Sequence, residues 1–421
     1  MLDASPLASL PEPGSRRIAV RVTPDAERQI RGGHPWVYDR SIRSVGSDGA
    51  PGDLAVVFDR SRAFLAVGLY DPTSPIRVRI LHKGRPTTID EAWFGAALDA
   101  ALDRRAGAFP AVDAGGTVRT DAYRIVHGEN DGLGGLVIDR YGDHLVVEVF
   151  TAAWLPHLRV IVEVLRERLD ARRVVVRLAR LVQRQATHGL FDGQIVAGED
   201  AGAMAETVAF QENGFRFTAD LGRGQKTGHF CDQRDNRAAI GDHSAGATVL
   251  DVFSCTGGFS VHAAGGGAVS VTSVDRSEHA LASARTHMVL NADAGTADTE
   301  HRTIAGDAFD VMDSLAQQGR TYDVVVVDPP SFARNADQVS PALEAYRRLA
   351  ESSAALVRPG GLHLQASCSA RIDADMLTDA VDAGLARRGR APTERWHTGQ
   401  PADHPVGFAQ GAYLDAVWSV L

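Results

Sequence analysis

Residues 248–259 read Thr-Val-Leu-Asp-Val-Phe-Ser-Cys-Thr-Gly-Gly-Phe, and an alanine-containing helical run follows. A short apolar strand that turns through glycine into a helix is the opening unit of an open α/β sheet, which binds its ligand where the strands end. The acid at Asp251 and the pair Gly257-Gly258 stand at that edge. The spacing is not G-x-G-x-x-G, so the turn is not built for the pyrophosphate of a nicotinamide cofactor. A methionine-type ligand instead needs room and a few amino and carboxylate partners.

The same unit recurs downstream. VSVTSVD ends at Asp275, close to the roughly 20-residue offset at which an acid meets ribose hydroxyls. Asp307, in Gly306-Asp307-Ala308-Phe309, closes the third strand signal, where a carboxylate can accept from an adenine amino group while Phe309 packs near the ring. DVVVVD then runs into Asp328-Pro329-Pro330-Ser331-Phe332. Two prolines make a rigid, extended exit that frames a flat base, with Asp328 at its polar edge and Phe332 available for stacking. GLHLQA runs into Ser367-Cys368-Ser369, and the last run, AYLDAVWSV, is a strand with no helix after it, suited to antiparallel insertion. From about Glu206 onward, apolar strands alternating with amphipathic helices imply a mostly parallel sheet covered on both faces.

Cys368 carries the most specific chemistry. C5 of cytosine is not nucleophilic until a thiolate adds at C6; C5 then attacks a sulfonium methyl, and a base removes the C5 proton so that the thiol leaves. Only a cysteine poised as thiolate serves well for this. A lone cysteine is ordinarily a small core residue, but serines on both sides at a strand exit argue against burial.

Upstream, residues 1–15 read as a flexible leader rich in proline, glycine and small polar residues. Residues 16–83 carry the β-type runs IAVRV, LAVVF, FLAVGLY and IRVRIL between turn signals, predicting a small β-barrel. Residues 84–205 predict a central α+β domain, with helices around Asp90–Ala106 and Pro156–Leu169 and strands near Tyr123–Val126, Leu136–Ile138, Leu145–Phe150 and Arg173–Leu178. Residues 206–421 form the domain of alternating strands and helices.

Composition bounds the class. Of 421 residues 44% are hydrophobic, no 18 apolar residues run together, and three cysteines show neither disulfide nor zinc spacing. A cytoplasmic protein with no metal and no membrane association is expected, and the N-terminus lacks the pattern of a signal peptide. The formal charge of −9 argues mildly against nucleic acid, but basic residues cluster locally: seven arginines in the first 43 residues, and Arg172, Arg173, Arg177, Arg180 and Arg184 with no acid between them. Those clusters are candidate phosphate-facing stripes.

With these residues in place, the chain resembles the bacterial 23S ribosomal RNA cytosine-5 methyltransferases that join an N-terminal PUA domain to a class I methyltransferase domain. His34-Pro35-Trp36-Val37-Tyr38 is similar to the PUA module, and Arg124 to Leu133 continuing through Val137 to Gly142 to the central domain. Phe210 to Phe217, Gln225 to Gly228 and Asp232 to Arg237 are similar to the segment that introduces the cofactor domain. The resemblance implies a Rossmann-like, seven-stranded sheet with an antiparallel last strand and S-adenosyl-L-methionine as cofactor. It places Phe253, Ser254, Thr256, Gly257, Asp275, Arg276, Asp307, Ala308, Asp328, Lys226 and Arg234 around that cofactor, with Cys368 as nucleophile and Asp328 holding the base. Ribosomal RNA is the implied partner, contacted by Phe332, Arg31, Trp36 and Arg177, with the protein a monomer or homodimer. His229, Cys231 and Gln410 depart from the family pattern, and the Asp-Pro-Pro motif has no second cysteine to release product, leaving Asp328 or His404 as candidate bases. A guanine-specific ribosomal RNA methyltransferase would need no thiol, and a non-catalytic RNA-binding protein would need neither thiol nor cofactor.

Overall fold

In the computed structural model, which describes residues 5–109, 119–224, 226–333 and 335–421, the N-terminal β-type runs become one six-stranded sheet. Its strands are β1 (Arg17–Val22), β2 (Trp36–Tyr38), β3 (Ile42–Val45), β4 (Leu54–Phe58), β5 (Phe64–Tyr70) and β6 (Ile76–Lys83), in the order β2-β6-β5-β4-β1-β3. Only Asp39–Ser41 separate the two edge strands. So short a link requires the sheet to curl until its edges approach, giving a barrel around Ile18, Val20, Val37, Val57, Val78 and Ile80. Helix α1 (Pro24–Arg31), capped by the Thr23 hydroxyl accepting from Ala26 N–H, buries Ala26 and Ile30 in that core.

After α2 (Glu91–Ala106) comes a five-stranded sheet, order β11-β10-β9-β8-β7, from β7 (Ala122–His127), β8 (Leu136–Tyr141), β9 (His144–Val149), β10 (Arg173–Leu178) and β11 (Gln194–Gly198). Helix α3 (Leu158–Arg168) is the crossover that lets β9 and β10 run parallel, and the short α4 (Arg180–Gln183) follows β10. The predicted elements are present here; β11, α1, β2 and β3 were not foreseen. The leader is a correction: Leu7 and Leu10 are 4% and 5% exposed in the same core as Leu98, Leu155 and Leu165. Pro6–Ser9 form a 3-10 turn capped by Ser5, so proline and serine shape a docked segment. Residues 1–4 and Gln225 lie outside the described residues.

A hairpin, β12 (Thr207–Glu212) and β13 (Phe215–Asp220), leads to α5 (Arg234–Asp242) and the seven-stranded sheet. Its elements are β14 (Thr248–Val252), α6 (Gly258–Gly265), β15 (Ser270–Asp275), α7 (Glu278–Leu290), β16 (Glu300–Ala305), α8 (Ala308–Gln317), β17 (Tyr322–Val327), α9 (Val339–Ala354), β18 (Val357–Ser367), α10 (Ala374–Arg387), β19 (Glu394–Thr398) and β20 (Asp415–Val420). The order is β16-β15-β14-β17-β18-β20-β19. β14 to β18 are parallel, and β20 inserts antiparallel between β18 and β19 as expected. The order reverses at β14, where a doubly wound sheet opens its crevice. Because both faces are covered, Val324–Val327 and Val249, Leu250 and Val252 are 2% exposed or less.

By compactness the chain forms two units. One holds residues 1–211, 218–231 and 402–408; the other holds 212–217, 232–401 and 409–421. No described helix is long and apolar enough to cross a membrane.

Candidate active site

The exit of β14 is a forced turn. Phe253, Cys255 and Gly257 have φ of 64°, 47° and 79°, a region that is strained for side-chain-bearing residues. A Cβ on Gly257 would stand 2.7 Å from Ala284 Cβ, so glycine is required there. Asp251, fully buried, anchors the turn by accepting from Ser260 N–H (3.1 Å) and Ser260 Oγ (2.6 Å). Burial pushes its carboxyl up to about 7 against these donors.

Asp275, at the end of β15, accepts from Cys255 N–H at 2.9 Å and Ser277 N–H at 2.8 Å. Asp307 caps α8 by accepting from Phe309 N–H, and Arg276 bonds it at 2.9 Å, holding its carboxyl below the usual range. Arg276 is largely exposed, while Ala308 is buried. Ser254 Oγ is buried with no hydrogen-bond partner. That orphan, the left-handed turn and two successive strand-end carboxylates suit a ligand with an amino acid end and a ribose, so the residues fit S-adenosylmethionine. Burial, followed by the Asp275 carboxylate, pushes the Cys255 thiol up to about 11, so this cysteine stays protonated and is no competing nucleophile.

Beyond β14 lies a second set of groups. Asp328, half-buried at the end of β17, accepts from Gln233 Nε2 at 2.9 Å. Cys368, at the exit of β18, is also half-buried, and its thiol points at Pro329 O, 3.8 Å away. The sulfur therefore lies on the Asp-Pro-Pro turn and is not sealed in the core. Flanking residues lock its position: Ser367 Oγ donates to the Tyr346 hydroxyl at 2.9 Å, and Ser369 Oγ meets Ser331 Oγ at 2.9 Å. Phe332 packs on Tyr346, centroids 5.1 Å apart, which leaves it only partly available for stacking.

Other predicted residues fall elsewhere. Arg234 opens α5 and is 4% exposed, whereas Lys226 belongs to the first unit, its ammonium 4.3 Å above the Phe230 ring. Arg177 is corrected: it is 8% exposed, bonds Asp192 at 2.9 Å and donates to the carbonyls of Leu221 and Gly224. Arg172 and Arg173 pair with Glu199 and Asp200, acids that arrive with β11 and were invisible as partners in a local window. His404 is 1% exposed, packed on His127 in the first unit, and unsuited to serve as an accessible base. Arg31 stays half-exposed while pairing with Glu27 and Asp59. Gln233 and Tyr346 were missed; Gln233 was in view only as part of the Asp-Gln-Arg segment.

Residues 146–390 match the family described as S-adenosylmethionine-dependent methyltransferase, more than half of the chain. The chain belongs to that family. S-adenosylmethionine is its cofactor, and residues 20–83 match a PUA-like domain. The methyltransferase is 46% identical over 411 residues to a protein of Deinococcus radiodurans named ribosomal RNA large subunit methyltransferase, covering 97% of this chain and 99% of that one. It is 33% identical over 402 residues to the ribosomal RNA large subunit methyltransferase I of Shewanella denitrificans, covering 94% and 98%. Its fold is shared with a candidate SAM-dependent methyltransferase from Streptococcus mutans, at TM-score 0.78 and 22% identity over 96% of this chain and 100% of that one.

Proposed function

We propose that this methyltransferase acts in the cytoplasm on 23S ribosomal RNA and methylates C5 of a cytosine through a covalent adduct at Cys368. The observation that carries this reading is the half-buried thiol on the Asp-Pro-Pro turn, next along the sheet from the acids that suit the cofactor. The names of the relatives support a large-subunit ribosomal RNA substrate. When bound, the cofactor supplies an electrophilic methyl group. Cys368 adds as thiolate to C6 of the base, forming a C–S bond and moving electron density onto C5. Asp328, on the neighbouring turn, holds the polar edge of the base. After C5 is substituted, a base takes the C5 proton, the C–S bond breaks and the thiolate returns.

RNA also finds a built surface on the barrel. Trp36 Nε1 donates to Glu129 Oε1 at 2.7 Å, and the rings of Phe408, His34 and Tyr38 lie 5.3, 5.5 and 6.2 Å from the indole. Opposite Trp36 in register stands Arg79, which is buried and ion-paired through Nε with the same Glu129 oxygen at 3.6 Å, so it braces the cluster from behind. An aromatic ledge of this kind suits an unpaired nucleotide. We assign RNA capture to residues 16–83, support to 84–205 and chemistry to 206–421.

The test is methyl transfer in vitro to ribosomal RNA with mass mapping of the product. The reading requires 5-methylcytosine; a methylated guanine would replace it with the thiol-independent alternative.

A further inference from the structure

The carboxylate that meets the base is the last member of a chain of hydrogen bonds with one sense. Trp418 Nε1 donates to Thr398 Oγ1 at 2.8 Å, and the Thr398 hydroxyl donates to Asn236 Oδ1 at 2.6 Å. Asn236 Nδ2 donates to Gln233 Oε1 at 2.6 Å, and Gln233 Nε2 donates to Asp328 Oδ1 at 2.9 Å. Trp418, Asn236 and Gln233 are 3% exposed or less, so each link is costly to leave unmade. The carboxylate end dictates the direction, since the Thr398 hydroxyl could donate to or accept from Asn236. An indole N–H only donates, and an ionised carboxylate only accepts. Turning one amide round alone would set two donors or two acceptors face to face where Asn236 meets Gln233.

We propose that Gln233 is a positioning residue, its amide N–H holding the Asp328 carboxylate at the end of the relay so that the site selects a base presenting an amino group there. The inference rests on the reading of Asp328 as the base-holding acid. An ionised carboxylate offers about four acceptor sites, of which Gln233 takes one. Toward the substrate Asp328 therefore accepts. Cytosine offers an N4 amino group on this edge and uracil offers a carbonyl, so the relay discriminates the two by the polarity of a hydrogen bond rather than by shape. Gln233 and Thr398 bond within the relay and not to Asp275 or Asp307, which accept from Cys255, Ser277, Phe309 and Arg276, so a change at Gln233 or Thr398 should leave cofactor affinity alone.

The experiment compares the wild-type full chain with Gln233→Leu, Thr398→Val and Cys368→Ser on ribosomal RNA carrying the target as cytosine or uracil. S-adenosylhomocysteine affinity is measured by calorimetry. In Gln233→Leu we expect kcat to fall roughly tenfold or more, with cofactor affinity unchanged. The acidic limb of its pH profile moves to higher pH, because a donor to the ionised form has been lost. Thr398→Val moves the same way by less, and the preference for cytosine over uracil narrows in both. Wild-type kcat and an unmoved acidic limb in Gln233→Leu would overturn the relay. Methylation by Cys368→Ser at the wild-type rate would instead remove the cytosine-5 mechanism and leave the relay to be judged on Gln233→Leu. A readout without turnover is the 15N-labelled Gln233 side-chain amide in the unliganded protein. Its protons should shift with the titration of a neighbouring carboxylate in wild type and stop doing so in Asp328→Asn; an amide blind to that titration contradicts the proposal.

Discussion

On the β14, β15 and β16 side of the sheet, each carboxylate accepts from backbone N–H groups of its own turn, Asp251 from Ser260, Asp275 from Cys255 and Ser277, and Asp307 from Phe309, with the nearby Ser260 hydroxyl and Arg276 guanidinium adding to two of them. On the β17 and β18 side the reactive groups are held by side chains from distant positions. Gln233 bonds Asp328, Tyr346 accepts from Ser367, and Ser331 meets Ser369. Backbone donors are present whatever the neighbouring residue is, so the first arrangement is rigid and generic and serves a ligand that does not vary. Side-chain partners can be exchanged, so the second can be tuned to one base. On the proposed reading, the chemistry common to the family and the specificity of this chain thus occupy adjacent strand tips with different kinds of support.

The largest expected effect breaks the backbone-held side from below. Asp251 has a folded carboxyl near 7, against about 3.9 when unfolded. A folded value above the unfolded one gives stability that is full below about pH 4 and declines as pH rises toward 7, by on the order of 4 kcal/mol. Asp251→Asn removes this decline. Urea midpoints of the variant should therefore exceed those of wild type above pH 7 and converge with them near pH 4; parallel curves would show that the buried acid is not strained.

Next, Asp275→Ala removes charge-assisted bonds worth about 1.5–3 kcal/mol, so S-adenosylhomocysteine should bind roughly 10- to 100-fold more weakly by calorimetry. Unchanged binding would detach this acid from the cofactor. The smallest effect belongs to the substrate side. Tyr346→Phe leaves the Ser367 hydroxyl without its acceptor, at a cost of about 1 kcal/mol. A kcat reduced a few-fold with cofactor affinity intact is expected. A variant that loses cofactor binding instead would erase the distinction between the two sides.

The same distinction explains what was legible in the sequence. Asp251, Gly257, Asp275 and Asp307 could be found because a strand end followed by a turn is a local pattern, and the structure places all four at neighbouring strand tips. The positions of Asp328 and Cys368 at the exits of β17 and β18 were legible for the same reason. Gln233 and Tyr346 were not, because their roles depend on contacts spanning 95 and 21 positions. Arg177 misled for a related cause: a window free of acids looked like a phosphate stripe, while Asp192 and two carbonyls closed around it in the fold. The leader misled because Leu7 and Leu10, too few to show periodicity, dock on a core built much later in the chain.

The central claim is a bond between Cys368 and C6 of the base, and it can be trapped. Fluorine at C5 cannot leave as a proton does, so RNA carrying 5-fluorocytidine at the methylated position should hold the enzyme after methyl transfer. Incubated with S-adenosylmethionine and that RNA, the full-length protein should yield a complex that survives denaturing electrophoresis, with the nucleotide mass on the peptide containing Cys368. Efficient 5-methylation of the unmodified RNA with no such complex from the fluorinated one would contradict it.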